Sequence, residues 1–436
     1  MKNNQSFSEK FENILGPLAM KISQNMYITS IRDAMLAYMP FTFIGSIALI
    51  IAFFPVPQVT EFITNLFGSD AWIGYLLYIN GATIAIGGLI VVLSMAKSLA
   101  EKIDTNILQA ILTSLVSFYL LLPLTNIDGV SYLDVSLLSA QSIFLALLTS
   151  MLATILYKKI EERGITIKMP DSVPPAVSGP FESVIPSLIV IVVFFVLRVV
   201  LEAGFQTDAL TVIDKFLGAP LTMVGGSLIG MVFVKVFEQL LWFFGIHGGS
   251  IVNAAMDPIH QVLEDQNRTA SIAGDLPTNI ISLSFKNHFA SIGVVGAVIA
   301  IVIISKSKRY REMGKIAMVP YIFNIGEPAL FGIPLLLNPT YFIPFVFTNG
   351  IVTVIAYGAF ALGLVPVPTG FAQLPWTTPL LISGYFVTGS IRGSLLQLVL
   401  IAVATLIWIP FVKIEDKKLV EQENQPIDEN IETQEV

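Results

Sequence analysis

The chain has 436 residues, of which 54% are hydrophobic and 13% charged, with a mean hydropathy of +0.77; that leaves too little polar surface to cover a water-soluble globule, so a polytopic membrane protein is expected. The formal charge of −7 says less, because residues 412–436 hold eight acidic against three basic side chains, and this tail reads as solvated and disordered. Cysteine is absent, which removes disulfides, thiolate metal sites and any cysteine nucleophile.

A hydrocarbon core needs about 20 apolar residues per helix, and such runs recur along the whole chain, which excludes a single anchor on a soluble domain. The expected class is a channel, a transporter or an intramembrane enzyme embedded in the lipid bilayer, with no nucleic-acid partner. Residues 1–30 are polar and amphipathic, and no cleavable signal peptide is read there. Spans are predicted near 35–54, 73–97, 107–123, 134–157 and 183–203, then near 219–244, 281–304, 339–362 and 391–411. Lysine and arginine crowd the N-terminus, the 97–102 turn and "KKIEERGITIK" (158–168) and are missing from 55–71 and 124–134. By the positive-inside rule the N-terminus and the 158–182 loop are cytoplasmic. So are "KSKRYREMGK" (306–315) and the tail, which places both termini on the cytoplasmic side of a cell membrane. Three spans between two cytoplasmic ends require that 245–280 supply another crossing or that one of these spans does not cross.

Three stretches read as irregular, each rich in glycine and proline: "GIHGGSIVNAAMDPIH" (245–260), "FNIGEPALFGIPLLLNPTYFIPF" (323–345) and "VPVPTGFAQLPWTTPLLISG" (365–384). In lipid, broken backbone is tolerated only where protein or a water-filled cavity satisfies it, so such breaks mark binding sites. The predicted organisation is a scaffold and dimerisation region over 1–182, a transport core over 183–411 with re-entrant segments near 245–262 and 316–338, and the acidic tail 412–436. Between the halves, "MPDSVPPAVSGPF" (169–181) carries four prolines and reads as a hinge or a cytoplasmic rim element.

Within the core, Glu327 stands out, since a carboxylate at the bilayer centre costs roughly 2.5–3.5 kcal/mol even on lenient scales and usually faces a cavity or a partner. It is read as a ligand contact or proton-linked group, with a structural acid holding freed amides as the alternative. Asn324, three residues earlier, would share its face on a helix. His247 sits among glycines that let a ligand approach the backbone. His260 and His288 lie far from it, and no HxxxH or HExxH spacing exists, so neither a metal site nor a cofactor is expected. Trp376 and Trp242 are read either as interface anchors or as platforms on which a pyranose face stacks. Lys286, Asn287 and His288 could line the same cavity, or snorkel to the interface. One acid, one histidine, amides and tryptophans suit a polyhydroxylated neutral solute; an anion would want arginines, and Arg392 is the only one placed near the later segments. A proton-coupled transporter using Glu327 and His247 as a relay is physically open as well. A hydrolase is disfavoured because no paired acids or serine, histidine and aspartate grouping is seen.

The blocks "IRDAMLAYMPFTFIGS" (31–46), "MPDSVPPAVSGPF" (169–181), "GIHG" (245–248), "FNIGEPALFGIPLLLNP" (323–339) and "PWTTP" (375–379) run the length of the chain. In content and order they resemble the enzyme IIC membrane component of the bacterial phosphoenolpyruvate:sugar phosphotransferase system, in its lactose/cellobiose/diacetylchitobiose class. That resemblance implies an all-α integral membrane fold of about ten transmembrane helices with two re-entrant hairpins, a homodimer formed through the N-terminal half, and a β-linked disaccharide such as cellobiose or N,N'-diacetylchitobiose as substrate. It implies that Glu327 and His247 match the family's buried acid and histidine, which contact the sugar near the hydroxyl to be phosphorylated, and these two are read as the catalytic pair; Asn324, Trp376, Trp242 and Asn287 are read from the residues themselves as further substrate contacts. It also implies a cytoplasmic enzyme IIB, fed by IIA, whose cysteine carries the phosphoryl group that this chain has no cysteine to hold. Where the family tends to read Asn-Ile-Asn-Glu-Pro, this chain has Gly326, which removes one side-chain amide.

Overall fold

The computed structural model describes residues 21, 24–54, 56–169, 175–333 and 335–424. It is an integral membrane protein built almost wholly of helices. Among the described residues six helical stretches are long and apolar enough to cross a membrane: Met26–Ala52, Ala71–Lys102, Ala140–Glu162, Ser178–Gly204, Pro339–Ala361 and Ile391–Glu423. A seventh is a bent pair, Ala209–Gly225 with Leu228–Phe243.

In chain order the first helices are α1 (Met26–Ala52), α2 (Pro57–Phe67), α3 (Ala71–Gly81), α4 (Gly87–Lys102) and α5 (Ile107–Leu121). A hairpin of β1 (Thr125–Ile127) and β2 (Val130–Tyr132) follows, then α6 (Ile143–Glu162) and α7 (Pro175–Val199). The hairpin was not expected; its Asp128-Gly129 corner takes positive φ at both residues, as a two-residue turn between twisted strands requires. The span expected over 73–97 is broken between α3 and α4 by a 3-10 turn at Ile84–Ile86. The Tyr38 hydroxyl of α1 donates to the Ile84 carbonyl at 3.0 Å, and a side chain at Gly87 would stand 2.2 Å from that hydroxyl. Hydroxyls also join helices across this half, Ser114 to Thr154 at 3.3 Å and Thr113 to Ser187 at 2.9 Å, as small polar residues do where helices meet in lipid. In the proline-rich loop, residues 170–174 lie outside the described residues. Beyond them α7 is already helical and contains Pro180 and Pro186.

The second half holds α8 (Ala209–Ile213), α9 (Ala219–Gly225), α10 (Leu228–Phe243), α11 (Gly248–Ala273), α12 (Leu283–His288) and α13 (Val295–Ile304). After them come α14 (Lys308–Tyr321), α15 (Glu327–Gly332), α16 (Phe342–Ala361), α17 (Ile382–Thr388) and α18 (Ile391–Glu423). Its core packs around Phe285, Phe289, Phe345 and Trp408.

Four expectations change here. The span 219–244 bends by 75° between α9 and α10, because Gly225 and Gly226 press against Ile259 and Leu263 of α11 and Ser227 starts a new helix by capping Gly230 at 3.0 Å. The segment 245–260 is not irregular: from Gly248 onward it is one helix of 26 residues, about 39 Å long, and the break is confined to the Gly245 turn, whose φ is +76°. The span 281–304 is two short helices. The backbone freed between α12 and α13 is taken up by side chains from elsewhere: Asn349 Oδ1 accepts from Gly293 N at 2.6 Å, Trp408 Nε1 donates to the Gly293 carbonyl at 2.9 Å, and Gln397 Nε2 donates to the His288 carbonyl at 2.8 Å.

The fourth change is the tail, where α18 continues as helix to Glu423. Asp416 accepts from the Lys306 and Ser307 amides at 2.8 and 3.0 Å, and Glu415 accepts from Asn338 and Thr340 at 3.0 Å each. These acids satisfy the start of α14 and the turn before α16, so they are structural groups and not a solvated run. Residues 425–436 lie outside the described residues.

Candidate functional site

Four surfaces of the second half, together with α1, line one cavity of about 400 Å³, within the roughly 300–1,000 Å³ typical of small-molecule sites. The first is α10. Lys235, Glu238, Gln239 and Trp242 recur at helical spacing, so one polar stripe faces inward from an otherwise apolar helix. The chain then reverses through Gly245, and His247 caps α11. Its Nδ1 accepts from the Ser250 amide at 3.1 Å, which leaves the ring proton on Nε2 and makes that nitrogen a donor. The Trp242 and His247 rings lie 4.2 Å apart. Gly248 lets α11 start against α10, since a Cβ there would stand 2.2 Å from the Glu238 carbonyl oxygen.

The second surface is α11, which presents Asn253, Asp257 and Gln261. The third comes from α12 and the break after it. Lys286 donates to Asn253 Oδ1 at 2.9 Å and pairs with Asp257, while Lys235 donates to Glu238 at 2.9 Å and to Ser291 Oγ at 2.7 Å. Lys286 is 1% exposed, so it does not snorkel; it is held inside by a carboxylate 29 residues earlier. Asn287 beside it lines the cavity, whereas His288 is buried and bonds to the Leu374 carbonyl at 3.3 Å. His260, equally buried, bonds to the Gly225 carbonyl at 3.1 Å. Arg392 is exposed at the start of α18, away from the cavity.

The fourth surface is the turn between α14 and α15 together with the 365–384 segment. Asn324 adopts φ of +56°, a left-handed conformation that asparagine tolerates. Its Nδ2 donates to the Trp376 carbonyl at 2.9 Å and to the Thr378 carbonyl at 2.8 Å. Both amide hydrogens are thereby committed to joining the two segments, so Asn324 positions its neighbours. Glu327 opens α15, and its Oε2 is buried with no hydrogen-bond partner among the described residues. A Cβ at Gly326 would meet the Tyr321 hydroxyl at 2.7 Å, so Tyr321 occupies the space a side chain at 326 would take. Gly326→Asn is therefore expected to destabilise the turn, and a cycle with Tyr321→Phe, read from melting in detergent, is expected to show coupling of about 0.5–3 kcal/mol; simple additivity would rule the contact out.

The cavity thus brings together Glu327, His247, Asn324, Trp376, Trp242, Asn287 and Lys286, while His288, also considered for it, lies outside its lining. Sequence reading missed the contribution of α1, where Arg32, Met35, Tyr38, Met39, Thr42 and Phe43 close the wall from the first half of the chain. It also missed Lys235, Glu238 and Asp257. A lysine and a glutamate three residues apart inside the apolar run "MVFVKVFEQLLWFF" were the available signal. The charges lining the cavity largely cancel: Lys235 pairs with Glu238, Lys286 with Asp257, and Arg32 with Asp33 at 2.9 Å. Among the described lining residues Glu327 is the carboxylate without an ion-pair partner. Such a wall suits a neutral, hydroxyl-rich ligand.

Residues 32–349 match the family described as phosphotransferase system, EIIC. The chain is 35% identical over 438 residues to the lichenan permease IIC component of Bacillus subtilis (strain 168), covering 97% of this chain and 96% of the relative. It is 36% identical over 439 residues to the cellobiose-specific EIIC component of Geobacillus stearothermophilus, covering 96% and 97%. Among solved structures it is similar to the crystal structure of the transporter ChbC, the IIC component of the N,N'-diacetylchitobiose-specific phosphotransferase system. The TM-score is 0.90 and the identity 35%, with 96% of this chain and 100% of the other covered.

Proposed function

Because the chain belongs to the phosphotransferase system EIIC family, we propose that it is a permease that binds a β-linked disaccharide, cellobiose or N,N'-diacetylchitobiose, and presents the C6 hydroxyl to the phosphocysteine of a IIB protein, itself charged by IIA. In the transfer the S–P bond of that cysteine breaks, the O–P bond to C6 forms, and the hydroxyl proton passes to Glu327. Such a base must sit about 2.6–3.2 Å from the proton it accepts. The observation that carries this reading is the buried, unpartnered Glu327 oxygen in a cavity whose other charges are paired. His247, as an Nε2–H donor, orients the same hydroxyl. Trp376 and Trp242 supply ring faces for the pyranoses, Asn287 a polar contact, and Asn324 holds the Trp376 segment against the Glu327 turn.

IIB would dock on the basic face of α14, where Lys308, Arg309, Arg311 and Lys315 are exposed at the expected cytoplasmic end. Both termini lie on that side in this reading, the ten-helix count and two re-entrant hairpins belong to it, and the N-terminal half forms a homodimer. The test is uptake of radiolabelled cellobiose into cells with and without IIB. The sugar is expected to accumulate as its phosphate ester and only with IIB present; free sugar accumulating on a proton gradient without IIB overturns the proposal.

A further inference from the structure

Outside the central cavity, a groove of about 470 Å³ runs between α17 and α18. The two helices form a hairpin that turns at Gly389, whose φ is +63°. Their backbones touch: a Cβ at Gly384 would stand 2.7 Å from the Gly393 carbonyl oxygen. Small residues that let backbones approach this closely leave the larger side chains standing on either side. Leu381, Ile382 and Tyr385 line one side of the groove, and Ile391, Leu395 and Leu398 the other. The polar groups along it are already engaged. Gln397 Oε1 accepts from the Leu381 and Gly384 amides at 2.7 and 3.0 Å, and Ser394 Oγ donates to the Leu381 carbonyl at 2.5 Å. What the groove offers is therefore hydrocarbon.

At one end of this groove stands Arg392, exposed in the first turn of α18. It is the one charged side chain in the sequence between Glu327 and Lys413, and among the described residues its guanidinium has no ion-pair partner. A cation in the first turn of a helix is opposed by the helix dipole, so Arg392 does not serve the helix that carries it. An arginine at a membrane face with no carboxylate to meet it calls for an anion from outside the chain. The direction of the groove says which. α18 ends in the tail read as cytoplasmic, so Arg392 lies at the opposite face. From Ile391 to Leu398 the helix descends about 10 Å into the hydrocarbon. α17 runs the other way, and its leading residue Leu381 is bonded at the depth of Ser394 and Gln397. The groove thus leads inward from the arginine, as an acyl chain leads inward from its phosphate. In the proposed dimer the contact is made by the N-terminal half, which leaves this face of the second half to the bilayer.

We infer that this groove is a binding site for an anionic phospholipid, with one acyl chain between α17 and α18 and the phosphate on the Arg392 guanidinium. The inference needs only a membrane around the chain and does not depend on the sugar. Melting of the full chain in detergent, followed as phosphatidylglycerol or phosphatidylcholine with the same acyl chains is added, gives an apparent affinity for each lipid. Phosphatidylglycerol is expected to bind about tenfold more tightly, as a charge-assisted hydrogen bond allows. That preference is expected to vanish in Arg392→Gln and to persist in Arg392→Lys, which keeps the charge. Equal affinities for the two lipids, or a preference unchanged in Arg392→Gln, overturns the site. Glycerol 3-phosphate stabilising the protein as much as the lipid does would reduce it to a surface anion contact and overturn the role of the groove.

Discussion

Glu327→Gln is expected to lower IIB-dependent phosphorylation of the sugar by about 10²–10⁴-fold, the usual contribution of a general base, while leaving sugar binding within a few-fold of the native protein. The amide has nearly the shape of the carboxylate and can still hydrogen-bond a hydroxyl through its oxygen, so ground-state contacts survive. It cannot accept the proton that the C6 hydroxyl must lose as the O–P bond forms. No neighbouring acid can stand in, because Glu238 and Asp257 are engaged by Lys235 and Lys286. The two readouts separate roles: equal losses in binding and transfer would mark Glu327 as a hydrogen-bond acceptor, and retained phosphorylation would remove it as the base. Calorimetry for binding and a single-turnover assay with phosphorylated IIB supply the two numbers.

Lys286→Met is expected to cost about 1–3 kcal/mol of stability, the range for leaving a hydrogen-bonding group without its partner, because the Asp257 it strands is only partly buried. Lys286 is 1% exposed and reaches both Asp257 and Asn253. Removing it strands the Asp257 carboxylate beside a cavity and detaches α12 from α11. Because the methionine is of similar length and apolar, the loss reflects charge and hydrogen bonding more than volume. Asp257→Asn added to Lys286→Met is expected to recover most of the loss, since the stranded charge is then gone. The check is thermal melting of the purified protein in detergent; a single variant as stable as the native chain would show that the pair is unimportant to the fold.

The two residues behind these predictions were not equally legible. Glu327 announced itself, because an acid in a segment broken by glycine and proline is a local signal that needs no knowledge of the fold. Asp257 and Lys286 each looked ordinary alone, one in a glycine-rich stretch and the other at the mouth of an apolar run. Only packing of α12 on α11 turns them into a pair. His247 lines the cavity, and the donor role proposed for it depends on the Ser250 amide taking Nδ1. Asn324 was placed beside Glu327, yet its amide serves the Trp376 and Thr378 carbonyls 52 and 54 residues away.

Composition by itself determined that this is a helical membrane protein, since apolar runs of spanning length and 13% charge leave no soluble alternative. Local motifs placed the cavity's acid, histidine and tryptophans, because glycine and proline breaks are written in the residues that make them. Tertiary structure alone decided that the apolar run 281–304 is interrupted and which charges are interior. The interruption between α12 and α13 is held by Asn349, Gln397 and Trp408, and the acids at 415 and 416 became structural by meeting the turn before α16 and the start of α14. The physical reason is the same in each case: a freed amide or a buried charge is tolerable only when a partner reaches it, and in this chain those partners lie tens of residues away.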